Sequence, residues 1–211
     1  MQSERPMVLL VALALGWFQT AVTVPTCQRS NGQTVCGFAC LAAHGELACA
    51  RTPRGVCGAS TDGVVCWDPP AAVRAHYGDK TPRPGCITRA GHTECGYRCQ
   101  AHDDDIACAA TPDGICRSTA RGVTCWDPPV SAYCADDRAL PRPRCVVVGD
   151  DVACGYDCLA RNGEMACART PGGRCQATAS GIVCFDAELP PMCGDVPCAP
   201  ETGERSWCTI P

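Results

Sequence analysis

Apolar and polar residues fall into two regimes along this chain. Residues from Met7 to Phe18 are almost all apolar, with Arg5 before them and Ala21 and Thr23 in the minus-three and minus-one places of a cleavage site. That pattern reads as a secretory signal peptide over 1–23. The run falls short of the about 20 residues that a membrane span needs, and no second apolar stretch follows, so no span is expected. After Val24 the apolar residues come in short alternating stretches between turn residues. From Val35 to Leu41, Cys36, Phe38 and Cys40 fall on one face of a strand, and Gly37 and Ala39 on the other.

The turn residues divide these stretches into hairpins. Asn31-Gly32 lies midway between Cys27 and Cys36, and His44-Gly45 midway between Cys40 and Cys49. Asn-Gly is the strongest short hairpin signal. Counting outward from a two-residue turn places each cysteine pair directly opposite in a non-hydrogen-bonded pair, with α-carbons about 4.5 Å apart and within reach of a disulfide. Ser60-Thr61-Asp62-Gly63, between Cys57 and Cys66, predicts a longer turn with Gly at positive φ. Thr52-Pro53-Arg54-Gly55 turns the chain between Cys49 and Cys57. Pairing first to second, third to fourth and fifth to sixth is the simplest connectivity, while a compact meander would bridge Cys49 to Cys57. The same count puts Arg51 opposite Phe38 and Arg169 opposite Tyr156, as a cation–π contact or as cover for apolar surface.

The whole arrangement then repeats. Cys27, Cys36, Cys40, Cys49, Cys57 and Cys66 recur 59 residues later as Cys86, Cys95, Cys99, Cys108, Cys116 and Cys125, and again as Cys145, Cys154, Cys158, Cys167, Cys175 and Cys184. Phe38, Tyr97 and Tyr156 recur with them, as do Trp67-Asp68, Trp126-Asp127 and Phe185-Asp186. Pro-rich stretches, Asp79 to Gly85 and Leu140 to Arg144, read as surface linkers. The expected fold is small, disulfide-rich and all-β: three tandem modules of short hairpins joined by Pro-rich linkers, over 24–70, 83–129 and 142–187, with a cysteine-containing tail over 188–211. Cys134, Cys193, Cys198 and Cys208 stand outside the sixfold pattern. Two of them suit a linker-to-tail bridge, and Cys198 and Cys208 flank a small loop at Thr202-Gly203.

Composition sharpens this picture. The chain holds 22 cysteines in 211 residues and only 5% aromatic residues. All the cysteines lie after the signal peptide, and their even number permits complete pairing. That density marks an exported disulfide scaffold in which cross-links replace much of an ordinary core. A net charge of −4 speaks against nucleic acid or an anionic membrane as partner. Lysine occurs once, at Lys80, among abundant Arg, Ala, Gly and Pro, which suggests a bacterial source.

Candidate chemistry is sparse. No cysteine pair has the two-residue gap of a zinc knuckle, so neither metal nor cofactor is expected. The four histidines, His44, His76, His92 and His102, share no module position, and no repeated acid–base pair or free thiolate suggests catalytic residues. Asp103-Asp104-Asp105 and Asp150-Asp151 read as solvated turns before calcium ligands. The module ends Trp67-Asp68, Trp126-Asp127 and Phe185-Asp186 are the best contact candidates, because tandem aromatic and acidic residues suit a repetitive ligand such as a polysaccharide. Their structural reading has each ring covering the cystines and each Asp capping the turn into the Pro linker.

The module CG[FY]xC, CAxTPxGxC, CWDPP resembles a cysteine-rich repeat of uncharacterised secreted bacterial proteins over most of the chain, with the third copy departing as Phe185-Asp186-Ala187. The resemblance implies export and a disulfide fold, and brings no activity, catalytic residue or partner. The expectation is a secreted, periplasmic or surface protein with a non-enzymatic binding or structural role toward an extracellular protein or polysaccharide. The alternative is a protease inhibitor using the Thr-Pro-x-Gly loops, whose variable residues are Arg54, Asp113 and Gly172.

Overall fold

A computed structural model describes residues 24–134 and 140–189. The expected signal peptide and the tail cysteines Cys193, Cys198 and Cys208 lie outside these residues. The described chain is all-β apart from one short helix and two 3₁₀ turns.

Each module folds as a three-stranded antiparallel sheet followed by a hairpin. In the first, β1 (Thr26–Ser30), β2 (Gln33–Ala43) and β3 (Glu46–Ala50) form the sheet, and β4 (Val56–Ser60) and β5 (Gly63–Trp67) the hairpin. The second repeats this with β6 (Gly85–Arg89), β7 (His92–His102), β8 (Asp105–Ala109), β9 (Ile115–Thr119) and β10 (Gly122–Trp126). The third does so with β11 (Arg144–Val148), β12 (Asp151–Arg161), β13 (Glu164–Ala168), β14 (Arg174–Thr178) and β15 (Gly181–Phe185).

The turn chemistry explains the sheets. Asn31 and Gly32 have φ of 48° and 78°, and His44 and Gly45 51° and 85°, the doubly left-handed pattern of a type I′ turn, whose twist matches the strands it joins. Cys27 then faces Cys36 in register, with α-carbons 3.9 Å apart. The third hairpin is tighter than its sequence suggested: Ser60 pairs with Gly63, leaving a two-residue loop of Thr61 and Asp62. Nine disulfides follow the first-to-second, third-to-fourth and fifth-to-sixth pattern in all three modules. Each closes a loop of about ten residues, worth about 2.5–3 kcal/mol in the chain-entropy account.

One feature of the long middle strand departs from simple alternation. Phe38 pairs with Ala50 and Leu41 with Ala48, so Ala39 and Cys40 together oppose Cys49. This β-bulge recurs in β7 and β12, and its extra residue is left-handed each time: Ala39 at φ 46°, Arg98 at 48° and Asp157 at 43°. The bulge moves the register by one, so the residue across from Phe38 is Ala50 rather than Arg51, and the one across from Tyr156 is Ala168 rather than Arg169. The opposition on which both readings of Arg51 and Arg169 stood, cation–π contact or cover for apolar surface, is therefore absent.

The linkers are more than surface connections. After Pro69-Pro70 the chain forms α1 (Ala71–Tyr77), started by Pro70 at φ −52° and ended at Gly78, φ 52°. Ala72 and Val73 of α1 bury against Tyr133 in the 3₁₀ turn Val130–Cys134 of the next linker, joined by Tyr77, Cys134 and Leu140. Thr81, within the Pro-rich segment, is 2% exposed. A second small core gathers Tyr97, Ala109 and Cys116 with Val123, Cys125 and Trp67, so the last ring of the first module belongs to the core of the second.

Candidate functional site

The aromatic-acidic module ends form two devices, one within each module and one between modules. Inside the first module the Asp68 carboxylate accepts hydrogen bonds from the Arg51 amide (3.0 Å), the Thr52 amide (2.8 Å) and the Thr52 hydroxyl (2.6 Å). Asp127 repeats this with the Ala110 amide (2.8 Å), the Thr111 amide (2.7 Å) and the Thr111 hydroxyl (2.7 Å). Asp186 takes the Arg169 and Thr170 amides at 2.5 and 3.2 Å. The aspartate therefore caps the Thr-Pro-x-Gly turn of its own module, where the sequence had suggested the turn into the Pro linker. Gly55 makes this possible: a Cβ there would collide with the Asp68 carboxylate and with the Ala50 methyl. An acidic residue at the head of each third strand adds a second clamp. Glu46 accepts from the Val64 amide (2.8 Å), Asp105 from the Val123 amide (2.5 Å) and Glu164 from the Ile182 amide (3.2 Å).

Between modules the rings meet. Trp67 lies edge-on to Tyr97 with centroids 5.5 Å apart and planes at 89°, and Trp126 meets Tyr156 at 5.3 Å and 87°. Both tryptophans are half-buried, while Tyr97 and Tyr156 are each 5% exposed. Phe185, the last ring of this series among the described residues, is 67% exposed. Around the first ring pair, the Thr61 amide donates to the Gly91 carbonyl (2.9 Å) and the Thr93 hydroxyl to the Ala59 carbonyl (2.5 Å). At the second interface Arg121 and Asp151 form an exposed ion pair at 2.6 Å, worth at most about 1 kcal/mol.

The variable loop positions also have partners. Arg54 donates to the Asp79 carbonyl in the following linker, and Asp113 accepts from the hydroxyls of Tyr77 (2.5 Å) and Tyr133 (3.1 Å). That carboxylate thus ties both linkers to the middle module. Burial, joined by the Asp113 carboxylate, pushes both phenols well above their ordinary value, and burial alone lifts Tyr97 to about 12. Sequence reasoning missed this hub, because Tyr77 and Tyr133 sit in linkers with no repeat to announce them. Among the described residues no cluster of three or more histidine, cysteine or acidic side chains is arranged for a metal. Of the acidic turn residues, Asp105 holds β10 and Asp151 pairs with Arg121. Two shallow grooves run beneath the Pro53 and Pro112 turns, lined by Phe38 in one and Tyr97 in the other, with Arg83 touching both.

No helix among the described residues is long and apolar enough to cross a membrane. No protein-family model, curated protein or solved structure matches this chain.

Proposed function

We propose that this protein is an exported, non-enzymatic scaffold that acts outside the cell as a structural or binding element. One observation carries the reading: the residues that recur between modules hold the fold together. The aspartates cap turns, the tryptophans join modules, and the cysteines of the repeat are bridged. A recurrent catalytic group would instead be aimed at solvent or a cleft. Nine bridges suit an oxidising compartment. A linear array of stapled modules suits cell-surface or matrix use, where weak contacts repeated along a rigid unit combine their affinities.

The inhibitor reading stays second, because the loop it relies on differs at its variable position between modules and the Arg54 guanidinium already binds a carbonyl. Co-sedimentation of the exported protein with cell-envelope and insoluble extracellular polysaccharide fractions tests the proposal. Retention that survives Arg54→Ala is the expected result. Stoichiometric inhibition of a protease, lost in Arg54→Ala, would replace the scaffold reading with the inhibitor one.

A further inference from the structure

The two ends of the described stack are matching halves of an interface that the chain already makes twice within itself. Module one presents β1 and β2 outward. The equivalent strands of module two, β6 and β7, are covered by the hairpin of module one: Cys95 is 6% exposed and Thr93 9%. Their equivalents Cys36 and Thr34 are exposed, and Phe38 is half-buried where Tyr97 is 5% exposed. At the other end β15 leaves Phe185 67% exposed, where Trp67 reaches into the core of the following module.

We propose that these faces join between molecules, so that the chain assembles head to tail with the outer face of module three seated on module one of a second copy. The residues that make the first internal interface reappear at the free ends. Thr93 donates to the Ala59 carbonyl, and the equivalents are Thr34 and Ala177. The Thr61 amide donates to the Gly91 carbonyl, and Gly91 abuts the Thr61 side chain so closely that a Cβ would lie 2.7 Å from its methyl. Gly32 keeps that space, and Ala179 supplies the amide. The second internal interface has Val152 and Asp150 at these positions, so the free ends match the first interface more closely than the second does. Phe38 and Phe185 take the places of the Tyr and Trp of each internal pair. Arg29 stands where Thr88 donates to the Ala59 carbonyl at 3.3 Å, and a guanidinium is a donor as well. Gln176 replaces Gly58, where a Cβ would lie 2.7 Å from the Thr93 methyl, so at this position the free ends follow the second interface, which carries the exposed Arg117. A head-to-tail contact of this kind is heterologous, so each added copy leaves both end faces open and growth continues.

This assembly stands apart from the functional reading above, since a monomer can also bind a surface. Sedimentation velocity on the full exported chain tests it. Without a linker to hold the faces together, self-association is expected at about 10 µM–1 mM, as a non-covalent ladder of linear species. Thr34→Arg blocks one face and Phe185→Asp the other, and both positions are exposed enough to keep the fold. Either change alone should weaken assembly by at least about tenfold. Mixed in equal amounts, the two variants should form a dimer and nothing larger, because each keeps the face that the other lacks. A monomer throughout that range, oligomers that persist in both variants, or oligomers held by intermolecular disulfides would each overturn the proposal. Assembly that appears only after truncation behind Glu188 would also overturn it, by showing that the chain's own tail occupies the end face.

Discussion

Trp126→Ala and Phe185→Ala remove an aromatic ring from the same module position, yet the structure assigns them different costs. Truncating a fully buried aromatic residue costs about 3–5 kcal/mol. Trp126 is only half-buried, so about half of that applies, with about 0.5–1.5 kcal/mol more for the lost edge-to-face contact with Tyr156 at 5.3 Å. The sum is about 2–4 kcal/mol. Phe185 is 67% exposed and has no ring partner among the described residues, so its truncation should cost under about 1 kcal/mol. Urea unfolding of the disulfide-intact protein, followed by tyrosine and tryptophan fluorescence, measures both. In a linear repeat, stability is a sum of module and neighbour-interface contributions. Losing the Trp126 contact should therefore also separate the unfolding of module three from that of module two. Equal costs for the two variants, or a single unchanged transition in Trp126→Ala, would refute the assignment of this ring as the joint between modules.

Asp127→Asn should destabilise the middle module by about 1–2 kcal/mol, because a neutral amide can serve fewer of the three donors now held by the carboxylate, and amide exchange at Ala110 and Thr111 should quicken. Gly114→Ala should cost about 2–3 kcal/mol in the same unfolding assay, since its Cβ would meet the Asp127 carboxylate and lie 2.6 Å from the Ala109 methyl. All four tyrosines should resist ionisation: burial lifts Tyr97 and Tyr156 to about 12, and Tyr77 and Tyr133 further still. The folded state thus holds these protons more tightly than the unfolded chain, whose tyrosines titrate near 10. Their contribution to stability is complete below about pH 10 and disappears as pH rises through the folded values. Tyrosinate absorbance should accordingly stay low until the protein unfolds, and a normal titration near pH 10 in the folded protein would contradict the burial.

How much of this was legible in the sequence depends on whether the deciding residue carries a local signature. Asn31-Gly32 states its own turn, and counting outward from it sets Cys27 opposite Cys36, so the hairpins and the simpler of the two pairings could be anticipated. The bulge could not. Its left-handed residue is Ala39, Arg98 or Asp157, and two of these three types give no hint of that conformation. Missing it moved the partner of Phe38 by one and misplaced Arg51. Helix α1 was hidden by its neighbourhood: Ala71, Ala72 and Val73 follow two prolines that read as linker, although proline at a helix start is favourable. The module ends were identified as the residues of interest. Their use was not, because Asp68 reaches back 16 positions to Thr52 and no local pattern predicts that distance.

The joint between modules did leave a mark in the sequence, visible only once its geometry is known. Tyrosine stands at the middle-strand position in the two modules preceded by a Trp end, as Tyr97 and Tyr156, whereas Phe38 and Phe185 have no ring partner among the described residues. That alternation separates two sources of order. Each described bridge joins cysteines nine apart within one hairpin, so the disulfides make every hairpin durable without fixing where one hairpin lies against the next. Placement comes from the non-covalent set: the capping aspartates, the Glu46, Asp105 and Glu164 clamps, the Asp113 hub and the two ring pairs. A chain with its nine bridges intact but these groups truncated would be a string of stapled hairpins, with its cross-links correct and its stack lost.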